Sequence, residues 1–252
     1  MFRVIIPARY ASVRLPGKPL RLIAGRPMIE HVHDRARAAG AAEVIIATDD
    51  ERIAMACREF GADVELTDPA HPSGTDRLAE VVRRRGFAEH DLIVNVQGDE
   101  PLVPPANVLQ VAVLLEHNPL AAIATLATPI RELAELDDPN VVKVVRGRDG
   151  AALYFSRAPI PWQRDAATRA ALDGGRLALA LRHVGLYAYR AGALRQLAAL
   201  PPGELEQAER LEQLRALEDG LGIIVGIAAE PPGPGVDTEA DLARVESLLR
   251  RL

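Results

Sequence analysis

Three cations follow closely on the first apolar segment of the chain and predict a binding site for a polyanion. Arg9, Arg14 and Lys18 lie within residues 8–20, a segment that also holds Ser12 and is interrupted by glycine and proline. Backbone N–H groups and several cations in one loop favour a triphosphate. The spacings G-x-x-x-x-G-K-[ST] and G-x-G-x-x-G of two known phosphate loops are absent. The alternative is a surface loop whose cations face water.

Lysine is rare in this chain, which singles out the two positions where it occurs. Of the 30 basic residues, only Lys18 and Lys143 are lysine, and all the others are arginine. An ammonium group is a compact point charge whereas a guanidinium is a planar fork, so a remaining lysine is a candidate for a position that needs the former. We therefore expect a function for Lys18, with chance retention as the alternative. For Lys143 the two interpretations are equally supported.

Two aspartates are candidates for holding a divalent cation. Asp99 ends the run N-V-Q-G-D after an apolar strand, where its carboxylate would face a ligand crevice and suit Mg²⁺ that carries phosphate. Gly98 is expected to let the backbone approach that ligand closely. The alternative for Asp99 is a tight turn. Asp237 directly precedes Thr238, the predicted N-cap of the last helix, and taken alone it fits helix-end electrostatics.

Two further groups of side chains suit a nucleobase and a sugar. Ser73, Gly74 and Arg77 fit a flat base, and an ordinary Ser/Thr helix cap explains the same residues. Farther along, three basic side chains can grip an acidic sugar and three polar ones can contact its hydroxyls. These are Arg157, Arg164 and His183, followed by Tyr187, Glu212 and Gln213. Their spacing alone does not assign them, because a lone His or Tyr is more often structural.

Composition excludes several classes of protein. The chain of 252 residues has a net charge of −5, so no global basic field attracts nucleic acid. A single cysteine, Cys57, excludes an internal disulfide and a multi-thiolate metal site, and we expect it to be buried and inert. No apolar run of about 18 residues and no signal-peptide pattern occurs, which predicts a cytoplasmic protein without membrane insertion. Zinc proteases, zinc ribbons and α/β-hydrolases are excluded because their motifs are absent.

The first half alternates strands and helices in the order that builds a parallel sheet. The strands are nearly continuous apolar runs, as is typical when helices cover both faces. Ligands bind at the carboxyl ends of such strands, so the loops after Ile6, Thr48 and Val96 should lie on the ligand side. Strands are predicted at 4–7, 43–49, 63–66, 91–96 and 121–128, and helices at 28–39, 51–60, 75–85 and 107–117.

The second half is more mixed. Residues 140–145 and 151–156 predict a hairpin whose turn is rich in Gly and Asp. A last helix is predicted from Thr238, with Asp241 near the capping-box pattern. Residues 164–180 are polar and rich in alanine and receive no assignment. Further strands are predicted at 183–189 and 222–228, and further helices at 192–200 and 204–218.

Seven runs, taken together and in order, resemble the 3-deoxy-manno-octulosonate (Kdo) cytidylyltransferases, also called CMP-Kdo synthetases. The first run alone would indicate only a sugar nucleotidyltransferase. The resemblance covers nearly the whole chain and is weakest over residues 163–182. The runs are VIIPARYASVRLPGKPL at 4–20, SGTDR at 73–77, NVQGDEP at 95–101, ALYFSR at 152–157, HVGLY at 183–187, LEQLR at 211–215 and GVDT at 235–238.

The resemblance implies a fold and an organisation of the chain. The fold class is α/β, with a Rossmann-like, mostly parallel sheet covered by helices on both faces, as in nucleotide-diphospho-sugar transferases, and a smaller mixed β subdomain. A single domain over 1–252 is expected. Residues 1–130 would mainly bind CTP, residues 131–230 would bind the sugar and form a homodimer through the hairpin region, and residues 231–252 would supply a metal-binding aspartate and the C-terminal helix.

The resemblance also implies a reaction, CTP plus Kdo giving CMP-Kdo and diphosphate, for lipopolysaccharide biosynthesis. Mg²⁺ is expected on Asp99 and Asp237, with Arg9 and Lys18 as further catalytic residues. The implied CTP-binding set is Pro7, Ala8, Arg9, Ser12, Lys18, Ser73, Gly74, Arg77, Gln97 and Asp99, and the sugar-binding set is Arg157, Arg164, His183, Tyr187, Glu212 and Gln213.

Other functions stay open at this point. One is CMP transfer to a related acidic sugar, such as 8-amino-Kdo or a nonulosonate. Another is a nucleotide-sugar-binding protein without turnover, against which the four candidate catalytic residues argue. A dinucleotide-dependent oxidoreductase is disfavoured because the glycine fingerprint is absent.

Overall fold

Alternating apolar strands and amphipathic helices produce one large sheet with helices on both of its faces in the computed structural model, which describes residues 1–11, 14–164 and 179–250. The strands are β1 (Phe2–Ala8), β2 (Leu22–Ile23), β3 (Arg26–Pro27), β4 (Glu43–Thr48), β5 (Asp63–Leu66), β6 (Leu92–Asn95), β7 (Ile123–Pro129), β8 (Lys143–Arg146), β9 (Ala152–Ser156), β10 (Leu181–Arg190) and β11 (Ile223–Ile227). The helices are α1 (Met28–Ala38), α2 (Glu51–Glu59), α3 (Gly74–Arg84), α4 (Pro105–Glu116), α5 (Leu133–Asp137), α6 (Ala191–Ala199), α7 (Glu204–Glu209), α8 (Gln213–Glu218) and α9 (Glu239–Leu249).

The sheet is mostly parallel, as the sequence predicts. Its strands follow the order β11-β7-β10-β6-β1-β4-β5, and β1 pairs in parallel with both β4 and β6. Within this order, strand β10 runs antiparallel between β6 and β7. The predicted hairpin forms from β8 and β9 and joins the sheet through β10. Strands from the second half of the chain therefore complete the sheet that the first half begins.

Two apolar cores lie on opposite faces of this sheet. Successive side chains of a strand point to opposite faces. Accordingly Val4 and Ile6 pack in one core with α1 and α4, while Ile5 packs in the other with α3 and α6. All three are fully buried, and burial of such a side chain contributes about 2 kcal/mol. Within the described ranges, no helix has the length and apolar character needed to cross a membrane.

Cys57 lies in the first of these cores, on α2. The prediction of a buried thiol is confirmed, since Cys57 is 0% exposed. Burial raises the pKa of its thiol to about 12. The thiolate is therefore a negligible fraction at neutral pH, and Cys57 acts as a small apolar side chain.

The helix predicted over 204–218 is wrong, because the chain breaks it into α7 and α8. Arg210 adopts a left-handed conformation with φ of 55° and ends α7. The break frees backbone carbonyls, and the Arg157 guanidinium takes up those of Glu209 at 2.7 Å and Arg210 at 3.5 Å. The leucine spacing is the same for one helix or two, so the sequence pattern does not distinguish them. Contacts from distant residues, which also include the bond from Ser156 Oγ to the Glu209 carboxylate, accompany the break.

Lys143 proves to be structural. Its side chain is fully buried on β8, and its ammonium nitrogen donates to the carbonyl oxygens of Asp138 at 2.8 Å, Val141 at 2.6 Å and Arg157 at 2.7 Å. A compact ammonium group can satisfy three converging carbonyls, which a planar guanidinium cannot do in the same space. These bonds from Lys143 join the segment before β8 to Arg157, the residue that follows β9.

Candidate active site

An open cleft of about 740 Å³ lies at the carboxyl ends of β1 and β6, which is where a parallel sheet binds ligands. The N-terminal turn of α3 and Asp237 close its other sides. Ser12, also predicted for this site, lies outside the described residues. The structure brings together the other predicted residues of the CTP and metal sites, namely Pro7, Ala8, Arg9, Lys18, Ser73, Gly74, Arg77, Gln97, Asp99 and Asp237.

An apolar anchor holds the cation-rich loop over this cleft. Leu15 is 1% exposed and packs in a small cluster with Met28 and Val236. Near it, the backbone N–H of Gly17 donates to the Tyr10 carbonyl at 3.2 Å. Gly17 has a positive φ of 64° and precedes a 3₁₀ turn at Lys18–Leu20, so its conformation favours glycine. The anchor and the turn fix the start of the Lys18 side chain at the edge of the cleft.

The same cluster brings the two candidate metal ligands together. The backbone N–H of Val236 donates to the carbonyl oxygen of Asp99 at 2.9 Å. Asp237 therefore lies beside Asp99, although the two are far apart in sequence. Thr238 caps α9 through the predicted capping box with Asp241, which fixes the chain direction after Asp237.

Lys18 lies between the two aspartates. Its Nζ atom is 2.7 Å from Asp99 Oδ2 and 3.0 Å from Asp237 Oδ1, and it also donates to the Val236 carbonyl at 3.0 Å. Burial opposes the charge, but the carboxylates of Asp99 and Asp237 outweigh it and raise the pKa of Lys18. Arg14 approaches the other oxygen of Asp237 at 3.1 Å. The site is thus a tight cluster of opposite charges.

The aspartates fit a divalent cation. Carboxylate oxygens of Asp99 and Asp237 converge on one point, which a cationic nitrogen occupies, and carboxylate oxygen is the ligand that Mg²⁺ prefers. Among the residues that the structure describes, no cluster of three or more His, Cys, Asp or Glu is arranged to hold a metal. Two carboxylates suit an ion that keeps waters and shares phosphate ligands with a nucleotide.

A second, smaller cleft adjoins the first through Gly74 and Gln97, which line both. The second cleft measures about 130 Å³. Glu212 lines it and accepts hydrogen bonds from Ser73 Oγ and Thr75 Oγ1, each at 2.8 Å. The predicted sugar-binding residues that it contains are Tyr187, Glu212 and Gln213. Asn95 and Tyr189, which the sequence did not single out, also line it.

The sequence contains only a weak indication that Asn95 and Tyr189 belong to this cleft. Tyr187 and Tyr189 are two apart on β10 and therefore share a face, and their rings stack with centroids 5.8 Å apart. Asn95 is the last residue of β6 and is directly opposite Tyr187 in the antiparallel pair. The pairing of β10 with β6 was not predictable from the local sequence pattern. The position of Asn95 opposite Tyr187 was therefore not predictable either.

Comparison with known proteins identifies the family. A family model described as cytidylyltransferase matches residues 3–223. The chain is 56% identical over 252 residues to the 3-deoxy-manno-octulosonate cytidylyltransferase of Thioalkalivibrio sulfidiphilus, with 99% of each chain covered. It is 54% identical over 248 residues to the enzyme of the same name from Pseudomonas syringae pv. tomato, with 98% of each covered. The chain belongs to the 3-deoxy-manno-octulosonate cytidylyltransferase family.

A solved structure agrees with this assignment. It is that of CMP:2-keto-3-deoxy-manno-octonic acid synthetase complexed with CTP, with a TM-score of 0.90, 44% identity, and coverage of 100% of this chain and 99% of that one. The family resemblance and the α/β fold predicted from the sequence are thereby confirmed. As a member of this cytidylyltransferase family, the chain is a nucleotidyltransferase.

The structure gives Gly98 and Arg77 contacts within the protein that the sequence did not predict. Gly98 lines the cleft, and a Cβ there would lie 2.7 Å from the carbonyl oxygen of Pro7, so the loop after β6 packs closely against β1; its approach to a ligand stays a prediction. Arg77 lines the cleft, yet its guanidinium is buried and bound to Asp49 at 2.7 Å and to Thr67 Oγ1. Arg77 thus positions α3 against the end of β4, and its contact with the base stays a prediction.

Two of the predicted basic sugar-binding residues have partners within the protein. His183 shares a 3.0 Å hydrogen bond with Thr125 Oγ1, and burial lowers the pKa of His183 to about 3. Its contact with the sugar stays a prediction. The Arg157 guanidinium is engaged with backbone carbonyls, including that of Pro139 at 2.9 Å. Arg164 is exposed, and its contact with the sugar stays a prediction.

Proposed function

We propose that the two adjoining clefts transfer CMP from CTP to Kdo and release diphosphate. The observation that carries this proposal is the convergence of Lys18, Asp99 and Asp237 on one point at the carboxyl end of the sheet. Arg9 and Arg14 line the same cleft, which makes it suitable for a triphosphate. The names of the relatives support Kdo as the acceptor. The product would serve lipopolysaccharide biosynthesis.

The experiment that tests this function measures diphosphate release. Purified protein with CTP, Kdo and Mg²⁺ should release one diphosphate for each CMP-Kdo formed, and omission of the sugar should stop release. The same assay with 8-amino-Kdo and with a nonulosonate separates the related sugars. If none of these acceptors supports release, the protein is a binding protein without turnover.

In the proposed reaction, the anomeric hydroxyl oxygen of Kdo attacks the α-phosphorus of CTP. The bond from that phosphorus to the oxygen bridging to the β-phosphate breaks, diphosphate leaves with the electron pair, and the hydroxyl proton passes to solvent water. No side-chain nucleophile is needed, so catalysis consists of positioning and charge neutralisation. Arg9 and Lys18 would neutralise the β- and γ-phosphates as charge develops on them.

Asp99 and Asp237 are the residues that would hold Mg²⁺. When bound, this ion supplies Lewis-acid stabilisation of charge at the α-phosphate and at the attacking oxygen. The protein itself determines where the two carboxylates lie and how accessible they are. The Val236 N–H bond to Asp99 fixes the spacing of the two carboxylates, and the exposure of Asp99 (36%) and Asp237 (50%) leaves their oxygens accessible from the cleft.

The second cleft would hold the sugar beside the nucleotide. Glu212 is negatively charged and would repel the carboxylate of Kdo, so it should face the sugar hydroxyls. Tyr187 and Gln213 add polar groups that can bond to hydroxyls. Because Gly74 and Gln97 line both clefts, an acceptor bound in the second lies next to the phosphates in the first.

The assembly and location of the protein extend the proposal. We expect a homodimer that forms through the hairpin of β8 and β9. Leu153 on β9 is 62% exposed, and an exposed large apolar side chain on a strand suits an interface. Sedimentation of the purified chain measures the assembly. A cytoplasmic location is expected because CTP is the proposed substrate.

Replacing Lys18 by alanine should lower turnover about 100-fold, or by about 3 kcal/mol of transition-state stabilisation, because one cation directed at the phosphates is lost. Steady-state diphosphate release measures the effect. Thermal unfolding should change little, since the ion pairs are partly exposed. Arg21→Ala is the matched control, because Arg21 pairs with Glu239 at 2.5 Å on the adjoining surface. Turnover of Lys18→Ala close to wild type would refute the role.

Replacing Glu212 by glutamine should raise the KM for Kdo about 10-fold, because hydrogen bonds to a charged acceptor contribute about 1.5–3 kcal/mol. The KM for CTP should change less than about threefold. Glu204→Gln on α7 is the control, since Glu204 is exposed. An equal rise in both KM values would instead assign Glu212 to holding Ser73 and the start of α3.

A further inference from the structure

Lys18 contacts one carboxylate oxygen of each of the two candidate metal ligands and one backbone carbonyl. Its nitrogen contacts Asp99 Oδ2 at 2.7 Å, Asp237 Oδ1 at 3.0 Å and the Val236 carbonyl oxygen at 3.0 Å. The Lys18 side chain is 16% exposed, whereas Asp99 and Asp237 are 36% and 50% exposed, so the cleft reaches this cluster from the side of the aspartates. Lys18 therefore occupies the position at which the carboxylates converge.

An ammonium ion and a divalent cation cannot share that position. A Mg²⁺ ion binds carboxylate oxygens at about 2.0–2.1 Å, and two positive charges at such separation repel strongly. A free metal ion could take the position between Asp99 Oδ2 and Asp237 Oδ1 only after Lys18 had left it. A flexible four-carbon side chain permits that displacement, provided that the ammonium finds another acceptor.

Nucleotide phosphates would provide that acceptor. Lys18 lines the nucleotide cleft together with Arg9 and Arg14, and Arg14 also pairs with Asp237, at 3.1 Å. A triphosphate entering this cleft would attract both cations away from the aspartates. The carboxylates would then be left without their internal partners at the moment when the metal carried by the phosphates arrives.

We propose that Lys18 is a displaceable occupant of the metal position, which keeps Asp99 and Asp237 from binding a divalent cation until nucleotide phosphates withdraw it. The inference rests on the proposed function for the identity of the two ligands. It goes beyond that function by making metal binding conditional on nucleotide. By reciprocity, any cation held by the aspartates favours the withdrawn position of Lys18.

The test is metal binding without nucleotide and without turnover. Mn²⁺ is titrated into wild-type protein and into Lys18→Met, and free Mn²⁺ is measured by electron paramagnetic resonance. Lys18→Met should bind Mn²⁺ at least about 10-fold more tightly than wild type, within the usual range of coupling between sites. Mg²⁺ should correspondingly raise the Tm of Lys18→Met more than that of wild type.

Two further variants make each outcome decisive. Arg21→Met removes a neighbouring cation that pairs with Glu239, and its Mn²⁺ affinity should match wild type. Asp99→Asn added to Lys18→Met should abolish the gain. Equal Mn²⁺ affinity in Lys18→Met and wild type, with loss in Asp99→Asn, overturns the occupant role alone. Tight binding that survives Asp99→Asn overturns the ligand assignment of the proposed function as well.

Discussion

Replacing Asp99 by asparagine is expected to lower kcat for diphosphate release about 1,000-fold, which corresponds to about 4 kcal/mol of lost transition-state stabilisation. Asparagine keeps the shape of the side chain and removes its charge. The change would therefore weaken the binding of the Mg²⁺ that would neutralise charge on the α-phosphate. The hydrogen bond from the Val236 N–H to the Asp99 backbone carbonyl would remain. Steady-state kinetics at saturating CTP and Kdo measure the effect.

The paired aspartate sharpens this prediction. Asp237→Asn should cause a loss of similar size, because its carboxylate meets the same Lys18 nitrogen as that of Asp99. The double variant should be little worse than either single one, since residues that act as a unit are not additive. Glu239→Gln is the control, because Glu239 lies two residues beyond Asp237 and pairs with Arg21. If the double variant lost the product of the two single effects, the aspartates would act separately.

Replacing Lys143 by methionine is expected to lower the free energy of unfolding by about 3 kcal/mol, the largest effect on stability that we predict. Methionine fills similar space but cannot donate to the carbonyls of Asp138, Val141 and Arg157. The Asp138 carbonyl would keep its bond from the Val141 N–H, whereas those of Val141 and Arg157 would lose the bond from Lys143. Burial lowers the pKa of Lys143, so part of the loss is offset by removal of a poorly solvated charge. Chemical denaturation measures the change.

The matched control lies on the same strand. Arg146 donates to the carbonyl of Val225 at 2.8 Å, so Arg146→Met should cost about 1 kcal/mol. The Tm of Lys143→Met should fall by about 6–12 °C, as expected for a domain of this size. Below its unfolding temperature, Lys143→Met should retain turnover, because Lys143 is buried away from the nucleotide cleft. Stability of Lys143→Met within 1 kcal/mol of wild type would contradict the structural role.

Local sequence pattern predicted the first half of the fold well. Apolar runs such as 43–49 became strands, and the helices that follow them begin and end within two residues of the predicted positions. These elements depend on periodicity within a few residues, which the sequence states directly. The prediction of one helix over 204–218 was wrong, and at its break the carbonyls of Glu209 and Arg210 bond to Arg157 from another part of the chain.

The candidate site was also predictable in part from the sequence and in part only from the structure. The sequence alone indicated the cation-rich loop, the aspartate after β6 and the edge of the sheet where they lie, because the order of parallel strands fixes which loops meet. Its resemblance to a family then implied the partner aspartate and the sugar set. The sequence by itself thus determined the fold class and the chemistry of the nucleotide cleft.

Tertiary structure alone decided how individual side chains serve that chemistry. It set Asp237 beside Asp99 through one backbone hydrogen bond, gave Lys143 three carbonyls to contact, and placed the imidazole of His183 against Thr125 Oγ1. Charge, pKa and hydrogen-bond partners depend on neighbours that pack from distant segments. Such neighbours are set by the whole fold, so no local pattern of residues specifies them.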